Sequence, residues 1–230
     1  VSNKPVFSTF VSKLPATLLL TAVSILLTVL ISIPLGIWSA VKQNTATDYV
    51  IRTASFIGNS LPNFFVSLLL MYFFAIRLGW FPVISGGVSL QSVALPALTL
   101  AIAMSAKYLR QVRATVLDEL EKDYVLGARA RGVKFSTTMI RSVMKASLVT
   151  IITLLTLSIG SLLGGMAIVE SIFMWDGVGK LAVDAINMRD YPIIQAYVMW
   201  MAIIYVVVNL ITDLSYHFLD PRIRLGGIER

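Results

Sequence analysis

Stretches free of Asp, Glu, Lys and Arg divide the chain into long apolar blocks separated by polar ones. They mark membrane spans, because one charge at the bilayer centre costs about 2.5 to 3.5 kcal/mol on insertion scales. Four are evident: Leu14 to Val41, Thr53 to Ile76, Ala146 to Val169 and Tyr191 to Thr212. As a helix, each is long enough to cross about 30 Å of hydrocarbon. A fifth charge-free stretch, Leu78 to Ala106, opens with Gly79, Pro82, Ser85, Gly86, Gly87 and Ser89, a loop composition. Its remainder, Val93 to about Tyr108, reads as a span with Pro96 in the first turn. The pattern predicts an all-α polytopic membrane protein with five visible spans. No fixed-period repeat, low-complexity tract or linker interrupts it, so residues 1–230 are read as a single domain.

Composition strengthens this reading. Hydrophobic residues make up 57% of the chain and charged residues only 13%, too few to cover a water-soluble core of this size. With no cysteine and one histidine, His217, thiolate chemistry is excluded and few options remain for a metal; no metal site and no catalytic residue is expected. The formal charge of +7 is explained by topology. Sorting the polar segments across five spans puts fourteen of the nineteen Lys and Arg on one side, which is therefore cytoplasmic. The Val1 end is expected outside and the Arg230 end in the cytoplasm. No aromatic-interleaved basic patch points to nucleic acid. An outside amino terminus without a signal peptide leads us to expect at least one upstream span.

Lys107 to Lys145 forms a long cytoplasmic segment between the third and fourth spans, and it holds nine of the nineteen basic residues and Asp118, Glu119, Glu121 and Asp123. Asp123 is suited to cap a helix amino terminus, and Gly132 to end a helix in the left-handed conformation. Tyr124 to Arg131 would form about two turns, with Arg129 and Arg131 at the negative end of its dipole and small Gly127 and Ala128 allowing close approach of another surface. On residue chemistry alone, this is either a docking knob or a solvated connector.

The run Asp123-Tyr124-Val125-Leu126-Gly127-Ala128-Arg129-Ala130-Arg131-Gly132, with Arg141 and Lys145 at membrane re-entry, resembles the coupling loop of bacterial ABC-importer permeases of the dipeptide, oligopeptide and nickel family. Leu14-Pro-Ala-Thr17, Pro34-Leu-Gly36, Ser60-Leu-Pro-Asn63, Val169 to Gly179, Arg189-Asp-Tyr-Pro192 and Leu219-Asp-Pro-Arg-Ile-Arg224 resemble the same family in the same order. Asp176 and Thr150 stand where that family usually has proline, and Leu126-Gly127 where the wider superfamily often has Glu-Ala. The resemblance implies a type I importer transmembrane domain, with six spans in the full chain and a coupling loop at about 110–146. Asp123, Tyr124, Leu126, Gly127, Ala128, Arg129, Ala130, Arg131 and Gly132 would engage a cytoplasmic ATPase subunit. It also implies a bacterial inner-membrane location, a second homologous permease, two ATPase subunits and an extracytoplasmic solute-binding protein. ATP and Mg would be bound by the ATPases, since this chain has no phosphate loop. Bulky replacement of Gly127 or Ala128 is expected to block coupling without disturbing insertion.

Asn59, Ser60 and Asn63 around Pro62 are the best-placed polar groups to line a solute path. Proline removes an N–H and clashes with the carbonyl of Gly58, so a bent helix is expected there. The amides would then face either a wet pathway or a partner helix. Gln195 and Asn209 have weaker claims. Ser158, Gly160, Ser161, Gly164 and Gly165 suggest close helix packing, and His217 an interfacial position. Leu181, Ala185 and Met188 would share one face of an outer amphipathic helix, with Phe173 and Trp175 as alternative interfacial anchors. The rival to an ATP-driven importer is a channel or secondary carrier working without ATPase subunits, disfavoured by the lack of buried ion-coupling carboxylates.

Overall fold

The computed structural model describes residues 5–84, 87 and 89–219. Lys4, Ser85, Gly86, Arg222, Arg224, Arg230, the motif beyond Leu219 and the side-chain surroundings of Ser158, Gly160, Ser161, Gly164 and His217 lie outside what is described. The described elements are helices: α1 (Val6–Val41), α2 (Ala46–Ser60), α3 (Asn63–Leu70), α4 (Leu90–Leu120), α5 (Asp123–Ala130), α6 (Phe135–Thr138), α7 (Met144–Ile172), α8 (Val178–Met188) and α9 (Tyr191–Leu219). Met71–Arg77 extends α3 and Met139–Val143 joins α6 to α7, both with π-helical hydrogen bonding. Four helical stretches are long and apolar enough to cross a membrane, and α2 with α3 makes a fifth if counted as one bent span.

Several boundaries differ from the sequence expectation. The third span does not stop near Tyr108, because α4 continues to Leu120 and buries Tyr108, Leu109, Val112 and Val116 at helical spacing. The expected loop of 107–145 is therefore mostly helix, reduced to connections at 121–122 and 131–134 on either side of α5. Pro96 lies inside α4, not in its first turn, because Ser89 starts the helix earlier by accepting from the Ser92 N–H at 3.1 Å. The second span is broken, not merely bent: α2 and α3 meet at 103°. Leu61 and Pro62 are extended, and Pro62 opens α3 by accepting the N–H groups of Phe65 and Val66.

The core is organised around α4, which packs on α1, α2, α3 and α7. Residues Thr17, Thr21, Ser24, Thr28, Ser32, Gly36 and Ser39 recur every three or four positions and form the buried face of α1. Thr21, Ser24 and Thr28 each donate to the carbonyl four residues back, so their hydroxyls are satisfied within the helix. Small side chains let α1 and α4 approach closely, the arrangement that favours helix association in lipid. At Gly36 no side chain fits: a Cβ would sit 2.7 Å from Cβ and Cγ1 of Val112. Gly36→Ala is expected to destabilise the bundle by about 1 to 3 kcal/mol through overpacking. Thermal unfolding in detergent should show this loss; an unchanged midpoint for the variant would contradict the close contact.

Two apolar clusters fill the bundle. One joins Leu20, Val93, Ala97, Leu100, Met166, Val169, Phe173 and Trp175. The other joins Ala40, Val112, Val116, Val125, Met139, Val143 and Ile151. Phe173 and Trp175 are thus core residues and not interfacial anchors; they are 2% and 1% exposed. The Trp175 indole N–H donates to the Ala16 carbonyl at 3.0 Å. The face of α8 also differs. Val178, Gly179, Ala182 and Ala185 are buried, whereas Met188 is exposed. The reason lies in Glu170, whose buried carboxylate accepts from the Thr17 hydroxyl at 2.7 Å and the Lys180 N–H at 2.9 Å, fixing the start of α8 against α1 and α7. Asp176, the departure from the family proline, pairs with Lys13.

Candidate functional site

The two-turn helix expected between Asp123 and Gly132 is α5, and its ends are set locally. Lys122, not Asp123, is the capping residue. Asp123 already has a place in the first turn, where its charge favours the positive end of the helix dipole without a side-chain cap. Gly132 adopts a φ of +75°, with its N–H donating to Arg129 O and the Val133 N–H to Ala128 O, both at 3.0 Å. This is the paired-bond termination that a left-handed glycine permits. Ahead of the helix, Lys122 pairs with Glu119, and the Tyr124 hydroxyl donates to the Glu119 carboxylate at 3.0 Å. Burial and that carboxylate push the Tyr124 phenol up to about 12, so it stays a neutral donor at physiological pH.

Only Val125 and Ala128 of α5 are buried, and Val125 belongs to the cluster formed by α4 and the 139–151 segment. Asp123, Tyr124, Leu126, Arg129, Ala130 and Arg131 are exposed, and Gly127 is half-buried. Leu126 is 55% exposed, an apolar side chain held outward beside two arginines. The helix is therefore a peg with one root in the core and an otherwise open surface. Ala128 belongs to the rooted side, so the expectation that it could be enlarged without structural cost is corrected.

The second group stands at the break between α2 and α3. Asn59, Ser60 and Pro62 are exposed, and Asn63 is half-buried. The Ser60 hydroxyl donates to Phe56 O at 2.9 Å, satisfying a carbonyl near the end of α2. Asn63 packs toward α7, where a Cβ on Gly165 would lie 3.6 Å from its amide nitrogen. Asn59 and Ser60 thus keep the open surface a solute path needs, while Asn63 is partly committed to a neighbouring helix. Gln195 is exposed and Asn209 half-buried on α9. The peg and the break are on different elements, and both pack on or root beside α4.

A buried ion pair that sequence reasoning missed joins these parts. Asp48, in the first turn of α2, is fully buried and accepts two hydrogen bonds from Arg113 of α4, each 2.8 Å. Ser39 of α1 donates to it at 2.5 Å and the Asn44 N–H at 3.1 Å. Three helices are pinned at one point, and Ser55 adds a second tie from α2 to the Ala106 carbonyl of α4 at 2.8 Å. The available signal was Asp48's isolation, as the sole carboxylate before Asp118. Among the described residues, no group of three or more His, Cys, Asp or Glu could hold a metal ion.

Residues 32–225 match the family described as the binding-protein-dependent transport system inner membrane component. The chain is 41% identical over 230 residues to the oligopeptide transport system permease protein AppB of Bacillus subtilis (strain 168), covering 95% of this chain and 72% of that protein. It is 37% identical over 224 residues to the glutathione transport system permease protein GsiC of Escherichia coli (strain K12), covering 97% and 73%. Among solved structures it is similar to the inward-facing MetNI methionine ABC transporter, with a TM-score of 0.79, 16% identity and coverage of 95% and 100%. An amino acid ABC transporter solved with histidines has a TM-score of 0.66, 21% identity and 94% coverage of both chains. These two likenesses concern the fold. By the match along most of its length and by its relatives, the chain belongs to the family of binding-protein-dependent transport system inner membrane components.

Proposed function

We propose that the chain is the permease subunit of an ATP-driven importer that carries small peptides across the bacterial cytoplasmic membrane. The observation that carries this reading is the α5 peg, rooted by Val125 and otherwise open to a partner. Its exposed Leu126 and Tyr124, rimmed by Arg129 and Arg131, suit a groove on a separate ATPase subunit. Closure of an ATPase pair would move the peg, and the shared core would carry that motion into α4 and α7. The Asp48 and Arg113 pair would then pass it from α4 to the broken helix at Pro62.

The relatives named for oligopeptide and glutathione transport support peptides over nickel complexes as solute. A second homologous permease, two ATPase subunits that bind ATP and Mg, and an extracytoplasmic solute-binding protein complete the proposed assembly. In it the α2 face with Asn59 and Ser60 lines the solute path. This chain binds no nucleotide and performs no catalysis.

Reconstitution in vesicles tests the proposal. Tripeptide uptake should require the ATPase subunits, the receptor and ATP, and should be indifferent to an imposed ion gradient. Uptake driven by an ion gradient in vesicles lacking the ATPases would contradict it and favour a secondary carrier.

A further inference from the structure

Tyr49, Arg52, Phe56 and Asn59 recur at three- and four-residue intervals on α2, Ser60 lies four residues beyond Phe56, and all five share one exposed face. The face is uncharged at Asn59 and Ser60, beside the break, and cationic nearer its start. There Tyr49, Arg52, Thr53 and Phe56 meet Arg110 of α4 around an open cavity of about 320 Å³. The Arg52 guanidinium lies 5.8 Å from the centre of the Tyr49 ring.

Charge balance leaves this cavity cationic. The nearest carboxylate, Asp48, is 4.0 Å from Arg52 but is fully buried and held by both hydrogen bonds from Arg113, the Ser39 hydroxyl and the Asn44 N–H. It neutralises Arg113 and leaves little for Arg52, whose side chain is 49% exposed. Among the described residues, no ion pair engages Arg110. Two guanidiniums and two hydroxyls therefore border one cavity, donors suited to a planar oxyanion.

We infer that this cavity is a transient subsite for a carboxylate of the transported solute, reached along the α2 face from Asn59 and Ser60. The inference rests on the transport reading above and specifies its solute as a free acid. A lipid phosphate would satisfy the same donors, but beyond the exposed Phe56 the face is continued by Asn59 and Ser60, an amide and a hydroxyl that suit a peptide backbone better than acyl chains.

The test uses the permease pair with its ATPase subunits, without the solute-binding protein, in nanodiscs of phosphatidylcholine, incubated without nucleotide with equal amounts of a tripeptide pool and the same pool carrying C-terminal amides. Retained peptides are quantified by mass spectrometry. The wild type should retain the free acids about five- to tenfold over the amides, the gain expected from two partly exposed charge-assisted contacts. Arg52→Gln with Arg110→Gln should erase that preference, whereas Arg52→Lys with Arg110→Lys should keep most of it. Basal ATPase activity should be equal in all three.

A preference that survives the double glutamine variant, or is absent from the wild type, would overturn the subsite. So would free-acid retention that phosphatidylglycerol abolishes in the wild type, which would assign the cavity to lipid. The same complexes, reconstituted with the solute-binding protein in sealed vesicles and assayed for ATP-driven uptake, separate the two readings. Uptake without acid preference removes the subsite alone, and no uptake of either pool removes the peptide-transport reading with it.

Discussion

Gly127→Trp should leave the permease inserted and folded while abolishing ATP-driven uptake and solute-stimulated ATPase activity. A Cβ on Gly127 meets only the Arg131 guanidinium, at 3.5 Å, an ordinary contact, so the added indole projects from the peg and not into the bundle. Helix propensity favours the change as well, since glycine is the weaker helix former. A bulky group at the centre of a short docking helix holds the two surfaces apart, and loss of a central anchor costs about 2 kcal/mol or more, roughly thirtyfold in affinity. The measurement is transport and ATPase activity of the purified complex, with permease recovery from membranes as the folding control. Full transport by the variant would contradict a peg docked through Gly127. Ala128→Trp is a poorer probe, because Ala128 is only 8% exposed and its replacement would displace the root.

Breaking the buried pair should have the largest effect on stability. Arg113→Ala leaves Asp48 charged, fully buried and without its bidentate partner, which costs about 3 to 5 kcal/mol in comparable pairs. Asp48→Ala strands Arg113, whose side chain is 17% exposed and can recover some solvation, so its loss should be smaller. Replacing both at once, as Asp48→Leu with Arg113→Met, should restore much of the stability, since a packed apolar substitute for a buried pair is often neutral or better. Transport should separate the two roles. If the pair passes motion from α4 to α2, the double variant should remain folded and hydrolyse ATP, yet import poorly. A stable double variant with normal transport would reduce the pair to scaffolding.

What could be read from the sequence was local. The peg was legible because Asp123 to Gly132 carries its own start, dipole-matched charges and left-handed stop; the helix is shifted by one residue, with Lys122 as its cap and Ala130 in place of Arg131 as its last residue. The break at Pro62 was half legible: proline forbids an unbroken helix, but the 103° angle depends on α3 packing against α4 and α7. The length of α4 was hidden because its charged residues from Lys107 to Glu119 resembled a loop, although the buried Leu109, Val112 and Val116 carried the helical period. Long-range pairings left almost no local trace. Asp48 and Arg113 are 65 positions apart, Thr17 and Glu170 are 153 apart, and Trp175 reaches back to Ala16, so aromatic character suggested an interface where tertiary packing buried it.

The central claim is that a separate ATPase grips α5. Because the chain has no cysteine, Gly127→Cys offers a unique attachment point for a short photoreactive maleimide. In membranes holding the whole importer, illumination should join this position to the ATPase subunit and change in yield with nucleotide, while Asn187→Cys, exposed on α8, should give no such product. A labelled Gly127→Cys variant that forms no ATPase adduct in any nucleotide state would contradict the account.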